Sequence, residues 1–255
     1  MRGELFKGIK QWEFDQAGRK FKLPVFYYDN TSLTAIYTAS TKKVRKLLPH
    51  PAMNPVEMLP GRCMVAFTAF EYRKTDIDPY NEFSIAFLIT FDRPQIPGLT
   101  ALWQMARRCF TAYVWKLPVT TEIARFGGVE LYGYPKFLAD ITFEKGTEWI
   151  ECLLSEKGER ILSLKGKVLP TARGKITRFI TYSIVDGIPV TANVVVDPLE
   201  FAQSRHAQSA ILELGAKHAI AEALREIQLS PGPVMYQFSP VTEAILFGGK
   251  NLMDQ

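Results

Sequence analysis

The chain has 255 residues, of which 47% are hydrophobic and 22% are charged, and its formal net charge is +5. This is the composition of an ordinary soluble globular protein, and it argues against disorder and against a coiled coil. The longest apolar run, residues 83–91, is far shorter than the roughly 20 residues that a membrane-spanning helix needs. We therefore expect a globular fold with a sizeable core and no membrane partner.

The charged and metal-binding residue types exclude several classes of function. The basic residues are scattered, and their one dense cluster, residues 42–46, has no interleaved aromatic side chains, so we predict no nucleic-acid partner. The histidines and cysteines lack metal-ligand spacing, and no phosphate-binding glycine loop is present. We therefore expect neither a metal nor an organic cofactor. The amino terminus lacks the apolar core of a signal peptide, which favours a cytoplasmic location.

Hydrophobic periodicity predicts the elements of the first part of the chain. An amino-terminal arm covers residues 1–20. A short helix begins at Ser40 or Thr41, either of which can cap it, and ends at Pro49. The predicted strands of this part lie at residues 32–37, 63–72 and 83–91.

Two further helices are predicted before the middle of the chain. Residues 99–110 carry apolar side chains at helical spacing, which is typical of a surface helix. A shorter helix at residues 122–126 follows a pair of threonines that can cap it. The glycines Gly127 and Gly128 are expected to end this second helix.

The second half of the sequence is rich in predicted strands. Turns at residues 145–146 and 156–158 join three of them into an antiparallel meander. One long helix is predicted from Ser204 or Ser209 to about Leu229. Further strands are expected at residues 176–185, 190–197 and 234–246.

These elements indicate an α+β fold. No repeat, low-complexity tract or linker divides the sequence, so we predict a single domain over residues 1–255. Its main element should be a large, mostly antiparallel sheet curled into a barrel or cone, with a few helices packed outside it. A curled sheet offers a dry interior into which a reactive side chain can point.

Residues 128–137 are crowded with glycine, tyrosine and proline and contain a single lysine, Lys136. A lysine amine has an ordinary pKa of about 10.4 and is protonated at neutral pH. It attacks a carbonyl group only where burial or a neighbouring cation lowers that pKa. The local residues leave two interpretations open. Lys136 is either a buried nucleophile or the polar start of an exposed strand, since most lysines keep their charge in water.

Four short motifs occur in order along the chain. They are Leu47-Leu48-Pro49, Tyr80-Asn81-Glu82, Gly128-Val129-Glu130 and Tyr134-Pro135-Lys136. In their order and approximate spacing they resemble the acetoacetate decarboxylase superfamily, and the resemblance extends from about residue 24 to residue 246. It implies the curled sheet of that superfamily and an assembly into a homo-oligomer.

The resemblance also assigns roles to individual residues. Lys136 matches the lysine that forms a Schiff base with a substrate ketone, and Glu82 matches the glutamate that faces it. A protonated imine withdraws electrons and stabilises the carbanion that remains when CO2 or a proton leaves. Glu82 would then move protons or hold the charge of the imine. Tyr80 and Tyr134, from the same two motifs, are predicted to bind the substrate.

The sequence departs from the family pattern at several positions. Phe137 stands where the family has a second lysine. Asn30 falls at or near the family's early arginine, which is thought to hold the substrate carboxylate, and it offers a hydrogen bond but no charge. Glu71 is the nearest counterpart of a second pocket glutamate, although the register puts Phe67 or Thr68 in that place. We predict Asn30 and Glu71 as further substrate-binding residues.

Three functional hypotheses follow from these residues. The first is a Schiff-base lyase that releases CO2 from a β-keto acid. The second is an enzyme that uses the same imine for aldol condensation or dehydration of a 2-oxo acid, and the apolar Val129 and Phe137 would suit a larger or less acidic substrate. The third is a non-catalytic barrel whose lysine forms an ion pair with a small ligand. For the first two, the expected partner is a small keto acid.

Overall fold

The computed structural model describes residues 2–248 and 250–251, and for the last two it describes only the backbone. Met1, residue 249 and residues 252–255, which the predicted domain includes, lie outside the described residues. The described α-helices are α1 (Thr41–Val44), α2 (Leu99–Arg107), α3 (Glu122–Tyr132) and α4 (Ala219–Glu226). The strands are β1 (Trp12–Gln16), β2 (Arg19–Leu23), β3 (Val25–Ser40), β4 (Met53–Pro55), β5 (Glu57–Leu59), β6 (Arg62–Thr75), β7 (Tyr80–Phe91), β8 (Cys109–Lys116), β9 (Asp140–Lys145), β10 (Trp149–Glu156), β11 (Glu159–Lys167), β12 (Thr177–Val185), β13 (Ile188–Ser204), β14 (Ala210–Leu214), β15 (Met235–Leu246) and β16 (Lys250–Asn251).

Seven of these strands close into a barrel. In ring order they are β3, β6, β7, β8, β12, β13 and β15, and β15 pairs back with β3. Neighbouring strands are antiparallel except β8 and β12, which are parallel. The short strands β4, β5 and β16 pair with β7, β6 and β13. The predicted fold, a mostly antiparallel sheet curled into a barrel with a few helices, is confirmed.

The segment that follows α3 identifies the inner face of the barrel. Tyr134 contacts Thr181 on β12, and Lys136 contacts Glu82 on β7. The same segment shares an apolar cluster with Tyr27 on β3 and with side chains of β13 and β15. Side chains that meet strands all round the ring must point into it. Because side chains alternate along a strand, residues on the side of Glu82 point inward and their neighbours point outward.

A second sheet covers part of the outer face. Its strand order is β14, β11, β10 and β9, and β9 to β11 form the predicted antiparallel meander. Together with α4 it packs on the outward-facing side chains of β3, β6 and β7. The side chains of this outer core that have no exposed surface include Leu33, Phe67, Phe83, Ile85, Leu154, Leu162 and Leu164.

Gly127 and Gly128 lie inside α3 instead of ending it, so the predicted end of this helix is wrong. The helix continues to Tyr132 and stops at Gly133, whose φ of 61° is in the left-handed region that favours glycine. The glycine pair serves close packing. A Cβ atom at Gly127 would lie 2.8 Å from the ring of Phe21, which β2 places against the helix.

The predicted long helix from Ser204 or Ser209 to Leu229 is wrong in its first half. Residues Ala210–Leu214 form β14, which pairs with β11 at the edge of the second sheet, and only Ala219–Glu226 is α-helical. Over so short a run, apolar residues fit the period of a strand or of a helix. Pairing with β11 decides in favour of the strand.

Smaller differences concern α2 and the amino-terminal arm. α2 stops at Arg107, before the predicted end at Phe110, because Arg108 adopts a left-handed φ of 49° and β8 begins at Cys109. The arm contains β1, and the hairpin of β1 and β2 extends beyond the arm to Leu23. Among the described residues, no helix is long and apolar enough to cross a membrane.

Candidate active site

Lys136 lies in an extended segment of the barrel wall. This segment runs beside the chain that leaves β8, where the N–H of Val119 donates to the carbonyl of Phe137 at 2.9 Å. Successive side chains of an extended chain point to opposite sides. Phe137 accordingly packs with the outer core, whereas Lys136 reaches Glu82. The interpretation of Lys136 as the start of an exposed strand is therefore wrong.

Lys136 and Glu82 form a buried ion pair. The distance from Lys136 Nζ to Glu82 Oε2 is 2.7 Å, and the two side chains are only 5% and 8% exposed. Glu82 reaches this place because it lies near the start of β7 and faces inward, opposite Phe70 of β6. An unpaired charge here would cost several kcal/mol. The two groups therefore coexist as an ion pair, or as a neutral amine and a carboxylic acid after one proton has moved.

Three tyrosines surround the pair. The hydroxyl of Tyr72 donates to Glu82 Oε1 at 3.3 Å, and Lys136 Nζ lies 5.5 Å from the ring centroid of Tyr80. The hydroxyls of Tyr27 and Tyr80 are 3.4 Å apart. The ring of Tyr80 attracts the ammonium group. The hydrogen bond from Tyr72 holds one oxygen of Glu82, which leaves the other oxygen directed at the amine.

Burial keeps these tyrosine hydroxyls neutral. It is the largest cause of the raised pKa values of Tyr27, Tyr72 and Tyr80, and the negative charge of Glu82 raises these pKa values further. Each hydroxyl therefore remains a hydrogen-bond donor around neutral pH. None of the three acts as an anionic base there.

Tyr134 anchors the segment that carries the lysine. Its hydroxyl lies 2.6 Å from Thr181 Oγ1, and Thr181 donates to the carbonyl of Ala192 at 3.2 Å. The ring of Tyr134 stacks on Tyr132, with 5.4 Å between the ring centroids. The buried hydroxyl of Tyr132 has no hydrogen-bond partner among the described residues. These contacts tie the approach to Lys136 to β12 and β13.

Gly128 makes room for the lysine side chain. Lys136 lies across α3, and a Cβ atom at Gly128 would be 2.5 Å from Lys136 Cε and closer still to Cδ. Cβ atoms do not come this close to other carbons in real proteins. A larger residue at this position would therefore displace the amine from Glu82.

A narrow cleft reaches the lysine from the side of α3. Its empty volume is about 300 Å³, including the part that is open to solvent. Apolar side chains dominate the lining of this cleft, among them Phe21, Val25, Ile77, Leu131 and Leu246.

Within the part of the chain that the structure describes, no group of three His, Cys, Asp or Glu side chains could hold a metal ion.

A comparison with models of known protein families shows to which family this chain belongs. The model of the acetoacetate decarboxylase family matches residues 14–229, which is most of the chain. The chain belongs to the acetoacetate decarboxylase family. Both Glu82 and Lys136 fall within the matched residues. No curated protein matches the chain.

Solved structures of acetoacetate decarboxylase and related enzymes share the fold at low sequence identity. The acetoacetate decarboxylase of Legionella pneumophila has a TM-score of 0.62 and 16% identity, over 90% of this chain and 87% of that chain. MppR, an enduracididine biosynthesis enzyme complexed with pyruvate, has a TM-score of 0.64 and 13% identity, over 90% of each chain. An acetoacetate decarboxylase-like enzyme from Sphingomonas wittichii RW1 has a TM-score of 0.59 and 15% identity, over 94% of this chain and 97% of that chain.

Glu71 does not reach the site in this member of the acetoacetate decarboxylase family. It follows Phe70 and precedes Tyr72 on β6, so its side chain points to the opposite face of the sheet. There it forms ion pairs with Lys145 at 2.6 Å and with Arg73 at 3.1 Å. This placement corrects the prediction that Glu71 binds the substrate beside Lys136.

Asn30 lies on the inner face of the barrel, opposite Tyr72 of β6. It is buried, and its Nδ2 donates to the carbonyl of Thr242 at 3.0 Å. This bond ties β3 to β15 and occupies one of the two donor hydrogens of the amide. Its binding of the substrate stays a prediction. Of the other predicted residues, Tyr80 and Tyr134 come together with Lys136 and Glu82.

Sequence reasoning missed Tyr72, Thr181 and the role of Gly128. Tyr72 reaches Glu82 only because β6 and β7 pair in the register that sets Phe70 opposite Glu82. The available signal was the alternation of aromatic residues at the end of a predicted strand. The pair Gly127-Gly128 could have indicated close packing against a helix, but two successive glycines are also typical of the end of a helix.

Proposed function

We propose that this member of the acetoacetate decarboxylase family is a carbon–carbon lyase that holds its substrate as an imine on Lys136 and releases CO2 from a β-keto acid. The observation that supports this most is the 2.7 Å contact between Lys136 Nζ and Glu82 Oε2, in a place shielded from solvent. Imine formation needs a primary amine with an acid–base partner at hydrogen-bond distance.

Imine formation begins with a proton transfer. Glu82 takes a proton from the ammonium group of Lys136, and the neutral amine adds to the ketone carbon. The carbonyl oxygen then leaves as water, with Glu82 returning the proton. In sum, the ammonium and the ketone become a protonated imine and one water molecule, and Glu82 is again a carboxylate.

Carbon dioxide leaves in the second stage. The bond between the carboxylate and the adjacent carbon breaks, and its electron pair forms an enamine with the protonated imine. The carbon then takes up a proton from water, which Glu82 can relay because it lies within reach of the reacting atoms. Hydrolysis of the imine releases the ketone and restores the amine of Lys136.

The charges around the pair support decarboxylation. Among the described residues, the contacts to Lys136 Nζ and Glu82 come from Tyr72 and Tyr80, and no second lysine or arginine forms an ion pair with Glu82. A substrate carboxylate beside the imine would thus meet little positive charge besides the imine itself. Loss of CO2 removes a negative charge from an apolar site where that charge is costly.

A second candidate is aldol condensation or dehydration of a 2-oxo acid through the same imine. It is supported by the similarity of fold to MppR, which was solved with pyruvate, a 2-oxo acid. In this reaction a proton, instead of CO2, leaves the carbon next to the imine. Glu82 is then the base that accepts this proton.

Trapping with borohydride tests the imine. The protein is incubated with acetoacetate or pyruvate and reduced, and the peptide that contains Lys136 is weighed by mass spectrometry. We expect the mass increment of the reduced adduct on this peptide. The Lys136→Arg variant should give none, since a guanidinium group stays charged and cannot form an imine. The matched variant Lys145→Arg should be trapped like the wild type.

Two outcomes would change the proposal. If no keto acid of a panel gives an adduct, the imine is excluded and a non-catalytic binding protein is left. If adducts form but no CO2 is released from any β-keto acid, decarboxylation is excluded and the reaction on 2-oxo acids takes its place.

A further inference from the structure

Four polar side chains form one row across the inner face of the barrel. The register pairs Gln237 of β15 with Thr34 of β3, Thr34 with Thr68 of β6, and Thr68 with Ser84 of β7. Directly paired residues of neighbouring strands point to the same face. The four side chains, Gln237, Thr34, Thr68 and Ser84, are named here the hydroxyl row.

The hydroxyl row lies next to the proposed imine site. Ser84 follows Glu82 on the same strand with one residue between them, so both face inward. Two residues of a strand span about 6.8 Å. Along β7, the Cα atom of Ser84 therefore lies roughly 6.8 Å from the Cα atom of Glu82, whose carboxylate contacts Lys136.

The hydroxyl row keeps some exposed surface on the inner face of the barrel. Each of its side chains is partly exposed, whereas the outward-facing neighbours Leu33, Phe67, Phe83 and Ile85 have no exposed surface at all. Since the row points inward, its exposed surface must face the interior of the barrel. None of the four residues lines the apolar cleft beside α3.

The hydroxyl row also has unused hydrogen-bonding capacity. Thr34 and Thr68 share one bond at 3.1 Å, and the amide of Gln237 contacts only the sulfur of Met235, at 3.5 Å. Ser84 Oγ has no hydrogen bond to any residue that the structure describes. Partly exposed neutral donors and acceptors are the groups that can orient a bound molecule.

We infer that the hydroxyl row binds a neutral polar group of the substrate, such as an amide or an ether. This group would sit on the order of five bonds from the carbonyl carbon held at Lys136, given the spacing along β7. The row contains no cation, so it should discriminate against a carboxylate at the same place. The inference rests on the proposed function, because it takes Lys136 as the site of the carbonyl group.

Three ketones of equal shape test the hydroxyl row. They are 6-oxoheptanamide, 6-oxoheptanoate and 7-methyloctan-2-one, which end in an amide, a carboxylate and an isopropyl group on the same chain. Dissociation constants are measured by ligand-observed NMR without reductant, and adducts are measured separately by borohydride trapping. We expect the amide to bind about fivefold more tightly than either analogue, which is the effect of one net hydrogen bond.

Variants connect this preference to the row. Ser84→Ala and Thr68→Val should each remove most of the preference for the amide over the isopropyl ketone. Thr142→Val, on the exposed side of β9, is the matched control and should keep the full preference. Urea unfolding midpoints of the variants verify that they are folded.

The outcomes separate the two proposals. Equal binding of the three ketones by the wild type, or an unchanged preference in both row variants, overturns the hydroxyl row. A preference for the amide that depends on Ser84 and Thr68, without any reducible adduct, retains the row and overturns the imine. Trapping of pyruvate without any preference among the long ketones retains the imine alone.

Discussion

Two lysine–glutamate pairs lie on opposite faces of neighbouring strands and invite comparison. Glu82 of β7 binds Lys136 at 2.7 Å inside the barrel, and Glu71 of β6 binds Lys145 at 2.6 Å outside it. The side chains of the inner pair are 5% and 8% exposed for lysine and glutamate, and those of the outer pair are 46% and 21% exposed.

The contact distances of the two pairs are nearly equal, so distance does not set their properties. The outer pair is partly hydrated and screened by salt, and such pairs contribute about 0–1 kcal/mol. The inner pair has lost its water, and each charge depends on the other. The two pairs should therefore respond differently to the same substitutions.

The largest difference should appear in turnover. Glu82→Gln removes the acid–base group beside Lys136, and we expect turnover of a β-keto acid to fall by about 10²- to 10⁴-fold. Reductive trapping should persist, because the amine is still present. The measurement is CO2 release compared with the amount of adduct.

Glu71→Gln is the matched control for this experiment and should leave turnover unchanged. If Glu82→Gln turns over like the wild type, Glu82 has no part in the proton transfers. If both substitutions slow turnover equally, the contrast between the two faces of the sheet is wrong.

The second difference concerns stability. Lys136→Met leaves the carboxylate of Glu82 buried without its partner, which should lower the free energy of unfolding by about 3–5 kcal/mol. Lys145→Met should lower it by less than about 1 kcal/mol. Urea denaturation at neutral pH measures both values.

The double variant Lys136→Met with Glu82→Gln tests the physical reason. Removal of the second charge should restore a large part of the lost stability, since no buried charge then remains. If the double variant is as unstable as the sum of its two single variants, the loss comes from packing and not from an uncompensated charge.

The smallest effect is expected for the pH dependence of stability when Tyr72, which donates a hydrogen bond to Glu82 of the inner pair, is replaced. Burial raises the pKa of Tyr72 well above its ordinary value of about 10. Above about pH 10, the Tyr72 hydroxyl of the unfolded chain releases its proton, whereas the same hydroxyl in the folded protein keeps it. Stability must therefore fall as pH rises, with a contribution from Tyr72 of up to about 1.4 kcal/mol per pH unit.

Tyr72→Phe removes this contribution. Between about pH 10 and pH 11, the ordinary titration range of tyrosine and above, the free energy of unfolding of the variant should fall less steeply than that of the wild type. Below pH 9 the difference between the two proteins should not depend on pH. Parallel curves through the alkaline range would mean that the hydroxyl of Tyr72 ionises as easily in the folded protein as in water.

The barrel strands were predictable because their signal is local. The apolar residues at 63–72 and 83–91 match β6 and β7, and the turns at residues 145–146 and 156–158 match the ends of β9, β10 and β11. Long buried strands and glycine-containing turns depend little on distant contacts. Residues 210–214 form a strand because of β11, which is far from them in sequence.

The site itself was only partly accessible to such reasoning. Lys136 and Glu82 are separated by 54 residues, and no local pattern relates them, so their partnership came from the family resemblance. Glu71 is only the nearest glutamate in sequence to the expected position, and the alternation of side chains along β6 directs it to the other face. Tyr72 was missed for the related reason that strand register sets its neighbours.

Gly128 has a consequence for attempts to make this protein more robust. Glycine within a helix is less favourable than alanine by about 1 kcal/mol, so Gly128→Ala would rank high among substitutions intended to raise thermal stability. The added methyl group would occupy the space of the lysine side chain. The absence of a Cβ atom at position 128 makes α3 less stable, but it leaves the space that the side chain of Lys136 needs to contact Glu82. A thermostable version of the chain should gain its stability elsewhere and keep glycine at position 128.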